Sequence, residues 1–241
     1  MSEILESHLQ RQIEHSGRFF WHRLRWRAIQ EYLPSGSAFE LVDVGAGAGL
    51  LGSYLSRDRP EATYRFVEPI ESLNERLRSI YGGSADAAAS DFFKAQYVTL
   101  LDVLEHQEDD HGFMVELVGK MAPGSILLLT VPALPRLWSS WDVALGHFRR
   151  YERASLLACI DGLPLNVLEV SYLCPELVPA GKVRVRRLGV DAEGIAADDA
   201  EFPDLPAIVN DVLYALGSIS VSLRRRWKRG TSLFLAATVI A

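Results

Sequence analysis

Apolar and polar residues change rhythm several times along this chain, and each change marks an element. Residues 3 to 32 set Leu, Ile and aromatic side chains at helical spacing, and Pro34, Ser35 and Gly36 end the run. Short apolar runs then alternate with helix-like stretches. The runs at 39–44, 63–68, 96–101 and 125–131 read as strands, with a poorer one at 85–89. The stretches at 48–57, 70–80, 110–121 and 152–161 read as helices. Such alternation predicts an α/β fold, a mostly parallel sheet covered by helices on both faces.

After residue 164 the rhythm breaks. LNVLEVSYL reads as one strand and the C-terminal SLFLAATVIA as another. About 55 residues separate them, too many for a structureless loop. They hold an acidic stretch, DAEGIAADDAEFPD, a helix-like apolar run from Pro206 to Leu223, and two basic clusters at 182–187 and 224–229. The expected organisation is a core of residues 1–174 and 230–241, with 175–229 inserted as a helical cap between two antiparallel strands.

The first strand candidate carries the chemistry. FELVDVGAGAGLLGSYL ends an apolar run in Asp43 and continues through Gly45, Ala46, Gly47 and Gly49 into a helix. Glycines let the backbone turn tightly and approach a ligand. The helix beyond offers free N–H groups. Read from Gly47, G-A-G-L-L-G matches a dinucleotide fingerprint, and Glu68 lies about 20 residues on, where a ribose-binding acid belongs. Asp43 argues for a different ligand. A pyrophosphate would meet a carboxylate there, whereas the ammonium and sulfonium of S-adenosylmethionine would be attracted.

Composition narrows the setting. A chain of 241 residues can bury one large α/β core. Net charge is −6, which argues against general nucleic-acid binding. Cys159 and Cys174 show neither metal spacing nor a disulfide framework, which fits a reducing, cytoplasmic setting. No apolar run reaches the ~18 residues of a membrane span.

The order of motifs resembles class I S-adenosylmethionine-dependent methyltransferases, in a small-molecule branch, over residues 12 to 171 and again in the last strand. LVDVGAGAG is similar to the family's first motif. Val67, Glu68 and Pro69 match the end of its second strand, and LLDVLEH, with Asp102, Val103 and His106, the end of its fourth. The resemblance implies a Rossmann-like, seven-stranded, mostly parallel sheet whose last strand runs antiparallel between the fifth and sixth. It implies S-adenosylmethionine as cofactor, bound by these residues. It also implies an acid reaching the adenine from a third strand. Asp86 and Asp91 compete for that role, and Asp91 is preferred because Phe92 can pack on the ring.

Methyl transfer to oxygen needs a proton removed, and histidine suits that task near neutral pH. His147, in ALGHFRRY, follows the fifth strand, where the family builds its acceptor site. Asp142 can orient it, or can pair with Arg149 or Arg150. Trp138, Trp141, Arg150 and Tyr151 are the expected acceptor contacts. The expected activity is transfer of a methyl group to a small or lipid-like acceptor, most readily at oxygen. A nicotinamide-dependent oxidoreductase and a non-catalytic cofactor-binding module remain as alternatives. The cluster at 224–229 opens a further expectation, peripheral contact with an anionic membrane.

Overall fold

A computed structural model of the chain describes Leu9 and residues 19–82, 95–188 and 205–241. Its centre is a sheet of β1 (Phe39–Val44), β2 (Ala62–Val67), β3 (Tyr97–Leu101), β4 (Ile126–Pro132), β5 (Leu165–Leu173) and β6 (Ser232–Val239). The spatial order is β2-β1-β3-β4-β6-β5. The first four strands pair in parallel, and β6 runs antiparallel between β4 and β5. The C-terminal strand therefore lies where the sequence placed it. The seven-stranded sheet becomes six-stranded among the described residues, because the strand expected at 85–89 lies outside them.

Side chains alternate across each strand and so build two cores. Val42, Val44, Leu127, Leu129, Val131, Leu233 and Leu235 face one way. They pack against α4 (Asp110–Lys120) and α6 (Arg153–Cys159) through Met114, Leu117, Val118 and Leu156. Phe39, Leu41, Leu128, Phe234 and Ala236 face the other way. Over them lie α1 (Phe20–Ile29), α2 (Leu50–Asp58) and α8 (Ala207–Ser222). Helix α3 (Glu71–Tyr81) follows β2, and α5 (Ser140–Ala144) lies in the loop after β4. The long insertion after β5 carries α7 (Val178–Leu188) and then α8.

Helix α8 explains the polar pair inside its apolar run. The Asn210 Oδ1 accepts the N–H of Phe20 at 3.1 Å, satisfying a donor at the start of α1 that has no intrahelical partner. Asp211 pairs with Arg23 at 2.7 Å, and that guanidinium also lies over the Tyr214 ring. Gly217 sits where a Cβ would drive into Leu24, so the two helices approach closely there. No described helix is long and apolar enough to cross a membrane.

The basic cluster that follows α8 is divided. Arg224 is buried and forms a fork on Glu31 at 2.9 and 2.6 Å and bonds to Glu169 at 2.6 and 3.1 Å. Glu169 also accepts from Tyr32, Ser171 and Arg225. Burial raises the Glu169 carboxyl, but the donors from Ser171, Tyr32 and Arg224 outweigh it and hold it below its usual range. A group lowered on folding stabilises above its unfolded pKa, and that stability is lost as pH falls through the folded one. Removing one partner of such a buried pair leaves an uncompensated charge. Glu169→Ala should destabilise the fold by about 3–5 kcal/mol in denaturant titration. A cost below about 1 kcal/mol would show that the network does not hold the insertion to the sheet.

Candidate active site

The carboxyl ends of β1, β3 and β4 open onto one cavity of about 890 Å³. Its floor at one end is the turn from β1 into α2. Gly45 and Gly47 adopt left-handed backbone, and a Cβ on Gly45 would collide with Val103. The bare backbone is thus required for the turn to pass under the β3 loop. Asp43 is buried and accepts from Thr99 Oγ1 at 2.7 Å and Tyr64 OH at 3.0 Å, one from each flanking strand. Burial pushes its carboxyl up to about 6, against the lowering pull of Thr99, Tyr64 and the Arg25 charge. Glu68 accepts the backbone N–H of Gly47 at 2.7 Å and of Ile70 at 2.9 Å. Burial raises this carboxyl too, while those two N–H groups pull it down. Two donors leave lone pairs spare on the carboxylate, as a ligand with vicinal hydroxyls needs.

Asp102 stands at the end of β3 with a positive φ of 58°. Its carboxylate accepts from Arg25 of α1 and from Thr130 of β4 at 3.1 Å. The first helix is therefore tied across the cavity mouth, where Phe19, Phe20, Trp21, His22 and Arg25 line the wall.

The far end of the cavity is built by the loop after β4. Helix α5 opens on a capping box between Ser139 and Asp142, which buries Asp142 completely. The Asp142 Oδ1 then receives His147 Nδ1 at 3.0 Å and Arg150 Nε at 2.7 Å. Burial alone would raise this carboxyl, yet His147 and Arg150 hold it below the usual range. Both pairings open to Asp142 in the sequence thus occur together, with Arg150 rather than Arg149. Arg149 pairs with Asp110 instead. The His106 ring meets the His147 ring edge-on at 4.7 Å between centroids, and burial, with the His147 charge, pushes its pKa down to about 4. Trp141 lines this end, and Arg184 of α7 lies over its ring at 4.8 Å.

Asp43, Gly45, Ala46, Gly47, Glu68, Pro69, Asp102, Val103 and His106 all line the cavity, as do Trp141, His147 and Arg150. Three expectations change. Tyr151 is core, because its hydroxyl donates inward to Asp110 at 2.8 Å and its backbone bridges Ala133. Trp138 is absent from the lining, since α5 turns Trp141 inward instead. Gly49 forms the left-handed N-cap of α2 beneath Leu77, so its role is packing. Asp91 and Phe92, with Asp86, lie outside the described residues. Glu105 and Arg184 carry no individual signal in the sequence: Glu105 lies in the LLDVLEH motif and Arg184 in the basic cluster at 182–187.

A family model described as a methyltransferase domain matches residues 6–170. The chain belongs to that family. It is an S-adenosylmethionine-dependent methyltransferase with the Rossmann-like class I fold. No curated protein sequence matches it. Among solved structures, a protein complexed with the Trm112 methyltransferase activator of Haloferax volcanii aligns over 100% of both chains, with 14% identity and TM-score 0.63. A SAM-dependent methyltransferase of Archaeoglobus fulgidus aligns over 90% of this chain and 94% of its own, with 14% identity and TM-score 0.52. Phosphoethanolamine N-methyltransferase 2 of Haemonchus contortus, in complex with phosphomonomethylethanolamine and S-adenosylhomocysteine, gives 14% identity and TM-score 0.56. The alignment covers 91% of this methyltransferase and 53% of the nematode chain, so it spans about half of that protein. At such identities the likeness speaks to fold.

The Asp43 carboxyl supplies a pH test. A cationic cofactor favours its ionised form, and protonation below about pH 6 removes that attraction. S-adenosylmethionine affinity should therefore fall progressively between pH 6.5 and 5, as calorimetry would record. Asp43→Asn should flatten the profile; an unchanged slope in that variant would assign the pH dependence to another group.

Proposed function

We propose that this methyltransferase transfers the methyl group to a small or lipid-like acceptor, at an oxygen atom. The carrying observation is the continuity of one cavity from the Glu68–Gly47 turn to the His147–Asp142 pair. Asp43, the backbone from Gly45 to Gly47, Glu68 and Pro69 hold the cofactor, with Glu68 accepting from its ribose hydroxyls. Asp102, Val103 and His106 border its reactive end. Trp141 and Arg150 shape the acceptor end. Residues 1–174 and 230–241 act as the catalytic core and 175–229 as its cap.

Bound S-adenosylmethionine supplies an electrophilic methyl carbon, whose bond to sulfur breaks as the acceptor oxygen bonds to it, the electron pair staying on sulfur. The protein's part is to hold the oxygen in line and to assist loss of its proton. Alignment alone is worth up to about 7–11 kcal/mol in ideal cases. His147 is fitted to the second task. Its Nδ1 is bound to a fully buried carboxylate, which fixes the ring's orientation and leaves Nε2 for the acceptor side. What supports oxygen over nitrogen is this pair, since a neutral amine already carries a free lone pair.

His147→Ala should leave S-adenosylhomocysteine affinity within about two-fold while lowering turnover by about 10²–10⁴-fold. Full turnover on an oxygen acceptor would remove His147 from the chemistry.

A lipid-like acceptor is favoured by the outward face of α8. Ile208, Val212, Leu216 and Ile219 are exposed at helical spacing, while Leu213 on the inner face lines the cavity. Arg226, Lys228 and Arg229 follow and are exposed. Arg224 and Arg225 are committed to Glu169, so the basic contribution to a membrane surface reduces to the last three. Each adds about 1 kcal/mol near an anionic surface. Neutralising Arg226, Lys228 and Arg229 together should abolish flotation with anionic vesicles at low salt. Absence of flotation by the unaltered protein would leave the cap as a lid over a water-soluble acceptor.

A further inference from the structure

We infer that Glu105, His106 and His147 form a binding site for a divalent transition-metal cation, and that this cation takes the acceptor oxygen as a further ligand. The inference rests on the oxygen-acceptor reading for its role, but not for its existence.

Three observations carry it. The first is convergence. One ligand-type atom from each of the three residues lies within 4.8 Å of the others, at the wall of the cavity where the acceptor enters. Metal–nitrogen and metal–oxygen bonds of about 2.0–2.2 Å require side-chain movement of about 1 Å to close that set. Glu105 and His106 share one short turn after β3, and His147 arrives from the loop after α5. The backbone N–H of Phe148 donates to the Glu105 carbonyl at 2.8 Å and pins the two segments together.

The second is the state of Glu105. It is 1% exposed, yet its Oε2 is buried with no hydrogen-bond partner. A buried polar atom left unpaired is costly, and more so when charged. The neighbouring carboxylates are satisfied: Asp102 by Arg25 and Thr130, Asp142 by His147, Arg150 and Ser139. Among the described residues no donor bonds Glu105 Oε2, and the two nearby guanidinium groups, Arg25 and Arg150, are hydrogen-bonded to Asp102 and Asp142 instead. His22, on α1, faces the same cavity.

The third is the support behind one imidazole. Metal-binding histidines almost always give their second ring nitrogen to a carboxylate or a backbone carbonyl. His147 Nδ1 is bound to Asp142, which leaves the other ring nitrogen for the cluster. General-base action by His147 would explain this contact. It does not explain the orphaned oxygen of Glu105.

Two imidazoles and one carboxylate suit zinc, manganese, cobalt or iron in the divalent state more than magnesium or calcium, which favour oxygen-only sets. Three protein ligands leave coordination positions open, the arrangement of catalytic rather than structural sites. An acceptor hydroxyl bound at such a position loses its proton to solvent water and retains the electron pair of the O–H bond. His147 then assists proton loss through the cation.

The test uses full-length protein stripped with chelator and titrated with Zn²⁺, Mn²⁺ and Co²⁺ by calorimetry. The Co²⁺ form is also read by its visible absorption. The expected result is one equivalent bound, with a histidine-ligated Co²⁺ spectrum. Glu105→Gln and His106→Ala, each confirmed folded by thermal melting and circular dichroism, should weaken binding at least 10-fold. No binding up to millimolar cation, or binding that survives both substitutions, overturns the site. A bound cation in a protein that methylates no oxygen acceptor would leave the site standing and remove the oxygen-acceptor reading instead.

Discussion

Arg224 and Glu169 form the contact on which the placement of the segment inserted between β5 and β6 depends. Glu169 sits at an irregularity in the edge strand β5, Glu31 follows the first helix, and Arg224 ends the inserted segment. One guanidinium therefore joins three parts of the chain that are distant in sequence. Nothing about hydrophobic burial would fix their relative position to within a fraction of an ångström, because apolar contact is non-directional. The paired fork of an arginine on two carboxylates is directional. Arg23 with Asp211, and Phe20 with Asn210, repeat the device further along the same interface. The cavity wall formed by α1 is held from both sides, by α8 through these contacts and by β3 through Arg25 and Asp102.

Buried carboxylates recur throughout this molecule, and their surroundings sort them by task. Glu169 is surrounded by donors and held ionised, which suits a structural role. Asp142 is held ionised as well, but one of its donors is an imidazole that continues into the cavity. Asp43 and Glu68 are pushed upward by burial and carry fewer donors than they can accept, so a ligand can still improve their position. Glu105 is the extreme, driven well above the ordinary carboxylate range by burial and by Asp102. Carboxylates left short of donors beside a cavity are expected where binding, not folding, is to supply the last partners.

The sequence made the sheet legible because its signal is local. The short apolar runs of β1, β3, β4 and β6 are legible without any knowledge of partners, and the turn glycines after Asp43 are required by backbone geometry alone. The end of the cavity at the β1 turn is read in the same way, since Asp43, Gly47 and Glu68 belong to two consecutive strand ends. The acceptor side was less legible. Tyr151 and Trp138 looked equivalent to Trp141 as aromatics in a polar loop. What separates them is the five-residue helix α5 and its capping box, which turns Trp141 in. Arg224 looked like surface charge because its partners lie 193 and 55 residues away. Glu105 was half legible: the LLDVLEH motif marks its place, but the missing partner of its Oε2 leaves no pattern in a sequence.

The backbone records the same division between folding and function. Among the described residues three non-glycine positions have positive φ: Asp102, Leu134 and Cys174. They follow β3, β4 and β5, at the carboxyl edge of the sheet, where ligand sites of open α/β folds lie. Turns at the opposite edge use Gly36, Gly124 and Gly162, each with positive φ and open space where a Cβ would stand. Glycine adopts that conformation without strain, whereas a side-chain-bearing residue pays about 1–3 kcal/mol. Glycine at position 102 would relieve the strain but would lose the carboxylate that engages both Arg25 and Thr130. At Asp102 the chain thus tolerates strain where a side chain must stand at the end of a strand facing the cavity, and it avoids strain in these turns, where only a reversal of direction is needed. Asp102 couples the two demands, because the conformation that turns the chain away from the sheet also aims its carboxylate at the helix that closes the site.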